Sequence, residues 1–406
     1  MAMSSAYARI VNGRKQTLEE HLFNVAKICE ENAKFCGCET IAKILGLVHD
    51  VGKFFPEWQE YLHAEASTKT AEHSKHAGQF IKDETLAIIP STHHTRMHKI
   101  DDGKSPPPIP EQLKNEIEEL YKLDGPKTMP QILQCAGLFS TVGSDSTIIQ
   151  LLFLQTLYSI LVDADRTDAA NFDGKTTKKT ASFKALQRKF RRYMRTISNS
   201  KNGMKGIRFS VAEQCKNAAD NQKNIFELEA PTGSGKTFSA LNFALRRCVK
   251  NEKERIIFVS PYQSIIKQTY GNFANIFGGR NILEYHSSAD DFERGATWDR
   301  PIVVTTYQQF FESFFSFSAT KSRKLRYMSN GVIVLDEIQM FPKKFHCVLE
   351  VLIEFLSKVF KSDIVVMSAT IPKWCSVLSP YQIIQDAEQL YKAAKRIKVN
   401  YPDLKV

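Results

Sequence analysis

Cysteine is scarce in this sequence: eight residues in 406, no Cys-x-x-Cys, and Cys36-Gly-Cys38 as the only close pair. That density excludes a disulfide scaffold and argues against a thiolate zinc site, so reduced, mostly buried thiols are expected. Long apolar runs are missing too. The best candidate, Leu151 to Val162, is broken by Gln155, Thr156 and Ser159, short of the ~18 to 20 residues of a membrane span. Met1 to Gln16 holds no apolar segment of the secretory type. A cytoplasmic protein with no membrane partner is expected. Two further absences are local. No acidic residue occurs from Gly174 to Gly206, and only His286 and His346 of the ten histidines lie beyond residue 100.

What is present divides the chain. At ~150 residues per domain, 406 residues suggest two or three domains. The acid-free stretch carries eleven Lys and Arg, equal to the whole net charge of +11, interleaved with Phe183, Phe190 and Tyr193. Cations threaded with aromatics suit contact with a nucleic-acid backbone. Before that stretch the pattern is helical. Thr17 and Glu20 form a capping box ahead of Leu22, Val25, Ala26 and Ile28. Further helices are expected over 40–51, stopped by Gly52, and over 111–123, 129–138 and 146–165, with no persistent β-alternation. An all-α domain follows for residues 1–173. Beyond the basic stretch (174–206), short β-rich runs at 225–228, 255–260, 302–306, 332–335 and 364–367 alternate with helical stretches. That alternation predicts an α/β domain with a mainly parallel sheet over 207–380.

Ala230-Pro-Thr-Gly-Ser-Gly-Lys-Thr237 follows one of these strands and opens a helix, the context of a phosphate-binding loop. Gly233, Ser234 and Gly235 turn backbone N–H groups toward phosphates, Lys236 reaches the β/γ-phosphates, and Thr237 can hold Mg²⁺. Downstream, Val332-Ile-Val-Leu-Asp-Glu-Ile-Gln339 sets two acids at the end of a buried strand. Asp336 would hold Mg²⁺ through water and Glu337 would orient or deprotonate the attacking water. ATP and Mg²⁺ are the expected ligands. With Ser368-Ala-Thr370, Ser260-Pro-Tyr-Gln-Ser264 and Thr305-Thr-Tyr-Gln308, the set resembles the first RecA-like lobe of a superfamily 2 helicase. Gln339 departs from the His or Asp usual there.

The early histidines suggest a second chemistry. His49-Asp50 closes a helix and is followed by Gly52-Lys53; His21 lies upstream; His73 stands in Glu72-His-Ser74; His93 and His94 are adjacent; Asp165 sits in a late helix. The order resembles the HD phosphohydrolase superfamily, whose helical bundle builds one or two metal sites. The resemblance implies that His21, His49, Asp50 and Asp165 hold one ion and that Asp50, His73, His93 and His94 hold a second. Asp50 and Lys53 then act catalytically, Lys53 by neutralising a phosphate. His76 competes with His73, and Asp163 and Asp168 compete with Asp165. Mixed N/O ligands suit Mn²⁺, Fe²⁺, Ni²⁺ or Co²⁺, with in-line hydrolysis of a phosphodiester as the chemistry.

An HD domain ahead of a helicase lobe resembles the CRISPR-associated nuclease–helicases of type I systems, nearest to the I-C branch in Pro231 to Leu245, Tyr262 to Ile266, Tyr285 to Ser288, Gln309 to Ser313 and Asp336 to Met340. The resemblance implies degradation of single-stranded DNA after recruitment by an RNA-guided surveillance complex, with ATP-driven translocation. Only 36 residues follow Thr370, with 381–406 the entry toward a second lobe that the sequence does not contain. Its arginine fingers contribute roughly 10³ to 10⁵ in rate, so weak ATP hydrolysis is expected unless a separate lobe completes the motor. Two other readings are an HD nucleotide phosphohydrolase with an NTP-sensing loop, and a one-lobed adaptor or decoy on the surveillance complex.

Overall fold

The structure, a computed structural model, describes residues 6–63, 73–93, 106–124, 146–175, 180–197, 204–288, 297–316, 318–373 and 378–394. The chain forms two compact units. The first comprises Met1–Lys179 with Phe310–Tyr327; the second comprises Thr180–Gln309 with Met328–Val406. The expected helix over 129–138 lies outside the described residues.

The first unit is helical, with one correction. A hairpin of β1 (Tyr7–Val11) and β2 (Arg14–Thr17) precedes the helices. Asn12 and Gly13, both at positive φ, make the tight turn that an Asn-Gly pair favours. Thr17 then caps α1 (Leu18–Ala33) by accepting the Glu20 N–H at 3.2 Å. The second helix, α2 (Glu39–Val48), ends before His49. It packs so tightly on α1 that a Cβ on Gly46 would lie 2.5 Å from the Ala26 Cα. Shorter helices α3 (Pro56–His63) and α4 (Glu84–Ser91) precede α5 (Glu111–Asp124) and the long α6 (Ser146–Phe172).

By length and composition α6 could cross a membrane, yet 72% of its apolar window is buried in the protein. It is a core helix, and the polar residues that interrupt its apolar run have partners. Ser322 donates from its Oγ to Gln155 Oε1 (3.2 Å), and the Arg326 N–H donates to Ser159 Oγ (3.0 Å). Asp163 accepts from Arg323 Nε (2.6 Å), Arg326 Nε and the Tyr327 hydroxyl (3.1 Å). Residues 155, 159 and 163 share one helix face by their spacing of four. That face meets Ser322, Arg323, Arg326 and Tyr327 of the same unit, which are remote in sequence.

The second unit is built on seven parallel strands in the order β5-β6-β4-β7-β8-β3-β9. They are β3 (Ile225–Glu229), β4 (Arg255–Ser260), β5 (Ile282–Tyr285), β6 (Ile302–Thr306), β7 (Gly331–Asp336), β8 (Asp363–Ser368) and β9 (Tyr381–Gln382). Every residue of β6, β7 and β8 is buried, which explains their unbroken apolar character in a sheet covered on both faces. The helices are α7 (Phe183–Ile197), α8 (Lys205–Ala218), α9 (Lys236–Lys250), α10 (Gln263–Phe277), α11 (Tyr307–Phe315), α12 (Ala319–Ser322), α13 (His346–Lys358) and α14 (Ala387–Ala394). Of these, α11 starts in the second unit and runs into the first, to which α12 belongs. The basic segment is therefore not a bare linker: Leu186 and Phe190 of α7 belong to the second unit's core. Short β5 and two-residue β9 escaped the sequence reading.

Candidate metal centre and nucleotide site

Six of the seven expected ligands come together, four histidines around Asp50 and Asp165 beside two of them. His21 comes from the buried face of α1, His49 and Asp50 from the end of α2, His73 from just before the turn Ser74–Phe80, His93 from just beyond α4, and Asp165 from α6. Donor atoms lie within 4.8 Å of one another in three groups among the described residues: His21/His49/Asp50, His49/His93/Asp165 and Asp50/His73/His93. Asp50 bridges the set. Its Oδ2 is 3.4 Å from His21 Nε2 and 3.5 Å from His49 Nε2; its Oδ1 is 3.1 Å from His73 Nε2 and 3.2 Å from His93 Nε2. Asp165 Oδ1 lies 3.5 Å from His21 Nε2 and 4.0 Å from His49 Nε2. His94 lies outside the described residues.

His21, His49 and His93 are aimed by their other nitrogens. Nδ1 of His49 meets the Gly46 carbonyl at 2.8 Å and Nδ1 of His93 meets the Pro90 carbonyl at 2.7 Å. A carbonyl only accepts, so both Nδ1 atoms carry the proton and both Nε2 atoms offer a lone pair toward Asp50. For His21 the anchor is Asp168, with Nδ1 2.7 Å from Oδ2; Gln16 (2.9 Å) and Asn24 (3.0 Å) hold Asp168 in turn. The alternatives thus have other partners: Asp168 backs His21, Asp163 is held by Arg323 and Arg326, and His76 packs edge-on against Phe55 at 4.7 Å.

Charge follows the same pattern. Burial drives the His49 pKa down to about 3, keeping its imidazole neutral. Burial opposes ionisation of Asp50, but Lys53, His49 and His73 hold it well below the usual carboxylate range. Asp165 is lowered too, the surrounding histidines outweighing its burial. Burial would lower His21, yet its hydrogen bonds to Asp168 and Asp50 raise it. A neutral His49 beside carboxylates held ionised offers the lone pair and the negative charge that a divalent cation requires. The buried Nε2 of His49 makes no hydrogen bond, so the residues fit a metal.

Two residues at this centre, Arg9 and Trp58, were not found from sequence, and a third, Asp168, was weighed there only as an alternative to Asp165. Arg9 of the hairpin brings Nη2 within 3.8 Å of Asp165 and 3.2 Å of His21 Nδ1. Trp58 of α3 packs 4.3 Å from the His73 ring and lies under Lys53 at 5.2 Å. Lys53 itself is 2.5 Å from Asp50 Oδ2.

In the second unit, Gly233 and Gly235 take positive φ, where glycine is unstrained, and Gly235 opens α9. Lys236 donates to the Ala230 carbonyl at 2.8 Å, and Arg208 Nε donates to the Gly233 carbonyl at 3.1 Å. Ser234 Oγ is buried without a hydrogen-bond partner. Asp336 ends β7 at the carboxyl edge of the sheet; burial and the adjacent Glu337 push it up to about 7. Gln339, the residue that departs from the helicase pattern, bridges both sides of the gap: its Nε2 donates to Glu337 Oε2 at 2.6 Å and its Oε1 accepts from Ser368 Oγ. Thr237 is part-buried on the first turn of α9. Thr305 and Thr306 serve the backbone, Thr305 Oγ1 donating to the Tyr285 carbonyl and Thr306 Oγ1 accepting from Gln309. His286 is buried against Glu284 at 2.8 Å, a structural contact.

Comparison with known proteins agrees with this division. Residues 18–135 match the HD domain family and residues 209–377 the DEAD/DEAH box helicase family. The chain is 30% identical over 180 residues to the CRISPR-associated nuclease/helicase Cas3 of Haloferax volcanii, covering 36% of this chain and 19% of that one. A Methanocaldococcus jannaschii protein provisionally described as the same enzyme is 30% identical over 200 residues, 43% of this chain and 27% of that one. The crystal structure of T. fusca Cas3 with ATP shares the fold, with a TM-score of 0.53 at 15% identity over 98% of this chain and 53% of that one. The chain thus spans about half of the solved structure and under a third of these two relatives.

Proposed function

We propose that this chain, a Cas3-type pairing of an HD domain with a DEAD/DEAH box helicase domain, is a metal-dependent nuclease for single-stranded DNA joined to an ATP-binding helicase lobe. Two of its relatives are named as CRISPR-associated nuclease/helicases, and the proposed setting is type I CRISPR interference, on the strand displaced by an RNA-guided surveillance complex. The observation that carries the reading is the convergence of four histidine Nε2 atoms on the two oxygens of Asp50.

His21, His49, Asp50 and Asp165 would hold one divalent ion and Asp50, His73 and His93 a second, supplying Lewis acidity and a water nucleophile at neutral pH. Mn²⁺, Ni²⁺, Co²⁺ or Fe²⁺ suits this donor set better than Mg²⁺ alone. Lys53 places a cation beside Asp50, where it can bind a scissile phosphate. Arg9 adds a second cation near Asp165. In the helicase lobe, Gly233, Ser234, Gly235 and Lys236 cradle the phosphates of ATP. Thr237 and Asp336 hold Mg²⁺, and Glu337 positions the attacking water. Gln339 links Glu337 to Ser368, and so ties the hydrolytic acid to the strand-end motif.

The test offers circular single-stranded DNA and dNTPs in parallel, without ATP, across Mg²⁺, Mn²⁺, Ni²⁺ and Co²⁺. Metal-dependent cutting of the circle, lost in Asp50→Ala, is expected. Hydrolysis of dNTPs with the circle left intact would transfer the site to a nucleotide phosphohydrolase.

A further inference from the structure

The most basic helix of the molecule presents its charge outward from a fixed position. Lys184, Arg188, Arg191, Arg192 and Arg195 of α7 are all exposed. At 3.6 residues per turn they fall within an arc of roughly 100° and span ~16 Å along the helix axis. The opposite face is anchored. Leu186 and Phe190 are buried in the core of the second unit, Phe190 lies 6.4 Å from Phe277, and Tyr193 packs 5.9 Å from Phe238. Lys189 is drawn aside, donating to the Phe277 carbonyl at 3.2 Å. Among the described residues no ion pair engages Lys184, Arg188, Arg191 or Arg192. The helix contains no acid at all, so its like charges at spacings of three and four repel without compensation.

The aromatic residues decide what such a face can hold. Sites for single strands combine cations with exposed rings on which bases stack. Here Phe190 is buried, Phe183 and Tyr193 are half-buried on the same inward side, Phe183 against the core and Tyr193 against Phe238, and the outer face is cationic. A convex row of charges without a stacking platform suits contacts to phosphates alone, which position a duplex without reading its sequence. We propose that the outer face of α7 docks the backbone of double-stranded DNA, separately from the strand that enters the metal centre. This rests on the DNA-directed function above and adds a second, duplex-specific surface to it.

The experiment compares the full chain with Arg188→Gln/Arg191→Gln/Arg192→Gln, measuring anisotropy of a labelled 20-bp duplex and a labelled 20-nucleotide strand from 50 to 200 mM KCl. Glutamine keeps the helix propensity close to that of arginine. Loss of three phosphate contacts should weaken duplex binding at least tenfold and reduce the slope of log K against log[salt] by about 2.7, at ~0.9 per contact. Binding of the single strand should change several-fold less. Lysine at the same three positions should restore the slope, because a point charge suffices for a phosphate. Unchanged duplex affinity and slope, equal loss on both probes, or no duplex binding by the unaltered chain would each overturn the assignment. Cleavage of circular single-stranded DNA by the glutamine variant reports separately on the metal centre.

Discussion

At the candidate metal centre, His21, His49 and His93 each have one nitrogen committed to aiming and the other left for chemistry. His49 and His93 are aimed by backbone carbonyls three residues earlier, which a substitution elsewhere cannot easily remove. His21 depends instead on one side chain, Asp168. Carboxylates behind ligating histidines commonly contribute 10- to 100-fold in metal affinity. Asp168→Asn should therefore lower Mn²⁺ affinity by about that factor in a calorimetric titration while the fold survives; unchanged affinity would mean that His21 needs no such partner. The second residue-scale prediction concerns Asp336. Its folded pKa of about 7 lies above that of an unfolded aspartate, so the folded chain keeps a proton that the unfolded chain releases. Stability from this group then falls as pH rises, with the penalty complete above about pH 7. Between pH 6 and 8 the loss is on the order of 1 kcal/mol. Urea midpoints of wild type and Asp336→Asn without nucleotide should lie closest near pH 4, the ordinary aspartate range, and separate progressively through pH 6 to pH 8, the variant being the more stable. His49-Asp50 and the phosphate loop were legible because their residues are adjacent in the chain. Arg9 and Trp58 were not, since each reaches the site through space from a separate element, and Asp168 was legible only as an alternative to Asp165, its role behind His21 being set by the fold.

Elements hold these residues through a few close approaches. Gly52 is one: a Cβ there would stand 2.0 Å from the His73 carbonyl oxygen, so the turn after Asp50 passes directly against the residue before Ser74. Gly52→Ala should displace His73 from Asp50 and weaken metal binding, while binding of a fluorescent ATP analogue to the second unit stays unchanged. Metal affinity equal to wild type would show that His73 contributes nothing there. The strands and helices around both sites could be read from periodicity because their burial pattern is regular. What resisted was brief or non-local. The hairpin of β1 and β2 spans eleven residues and was announced only by Asn12-Gly13. The apparent flaws in the apolar run of α6 look like reasons against burial until Ser322, Arg323 and Arg326 supply their partners. A buried carboxylate such as Asp163 is tolerated only when paired, and its partners lie about 160 residues away.

At the scale of the whole molecule, the chain carries two candidate sites on two units, built from separate sets of residues. The first gathers histidines and aspartates from four helices and the loops between them; the second gathers glycines and acids at the carboxyl ends of parallel strands, where such sheets bind nucleotides. The concentration of histidine before residue 100 and of strand motifs after residue 220 made that division visible in one dimension. The basic stretch at 174–206, a linker or helix by sequence, contains α7, whose apolar positions at 186 and 190 tie it to the second unit's core. The central claim is that phosphodiester cleavage belongs to the cluster around Asp50 and does not require the phosphate loop. The most direct measurement is Mn²⁺-dependent nicking of circular single-stranded DNA, without nucleotide, by wild type, Asp50→Ala and Lys236→Ala. The account predicts cutting by wild type and Lys236→Ala at similar rates and none by Asp50→Ala. Cutting that persists in Asp50→Ala, or that vanishes in Lys236→Ala, would contradict it.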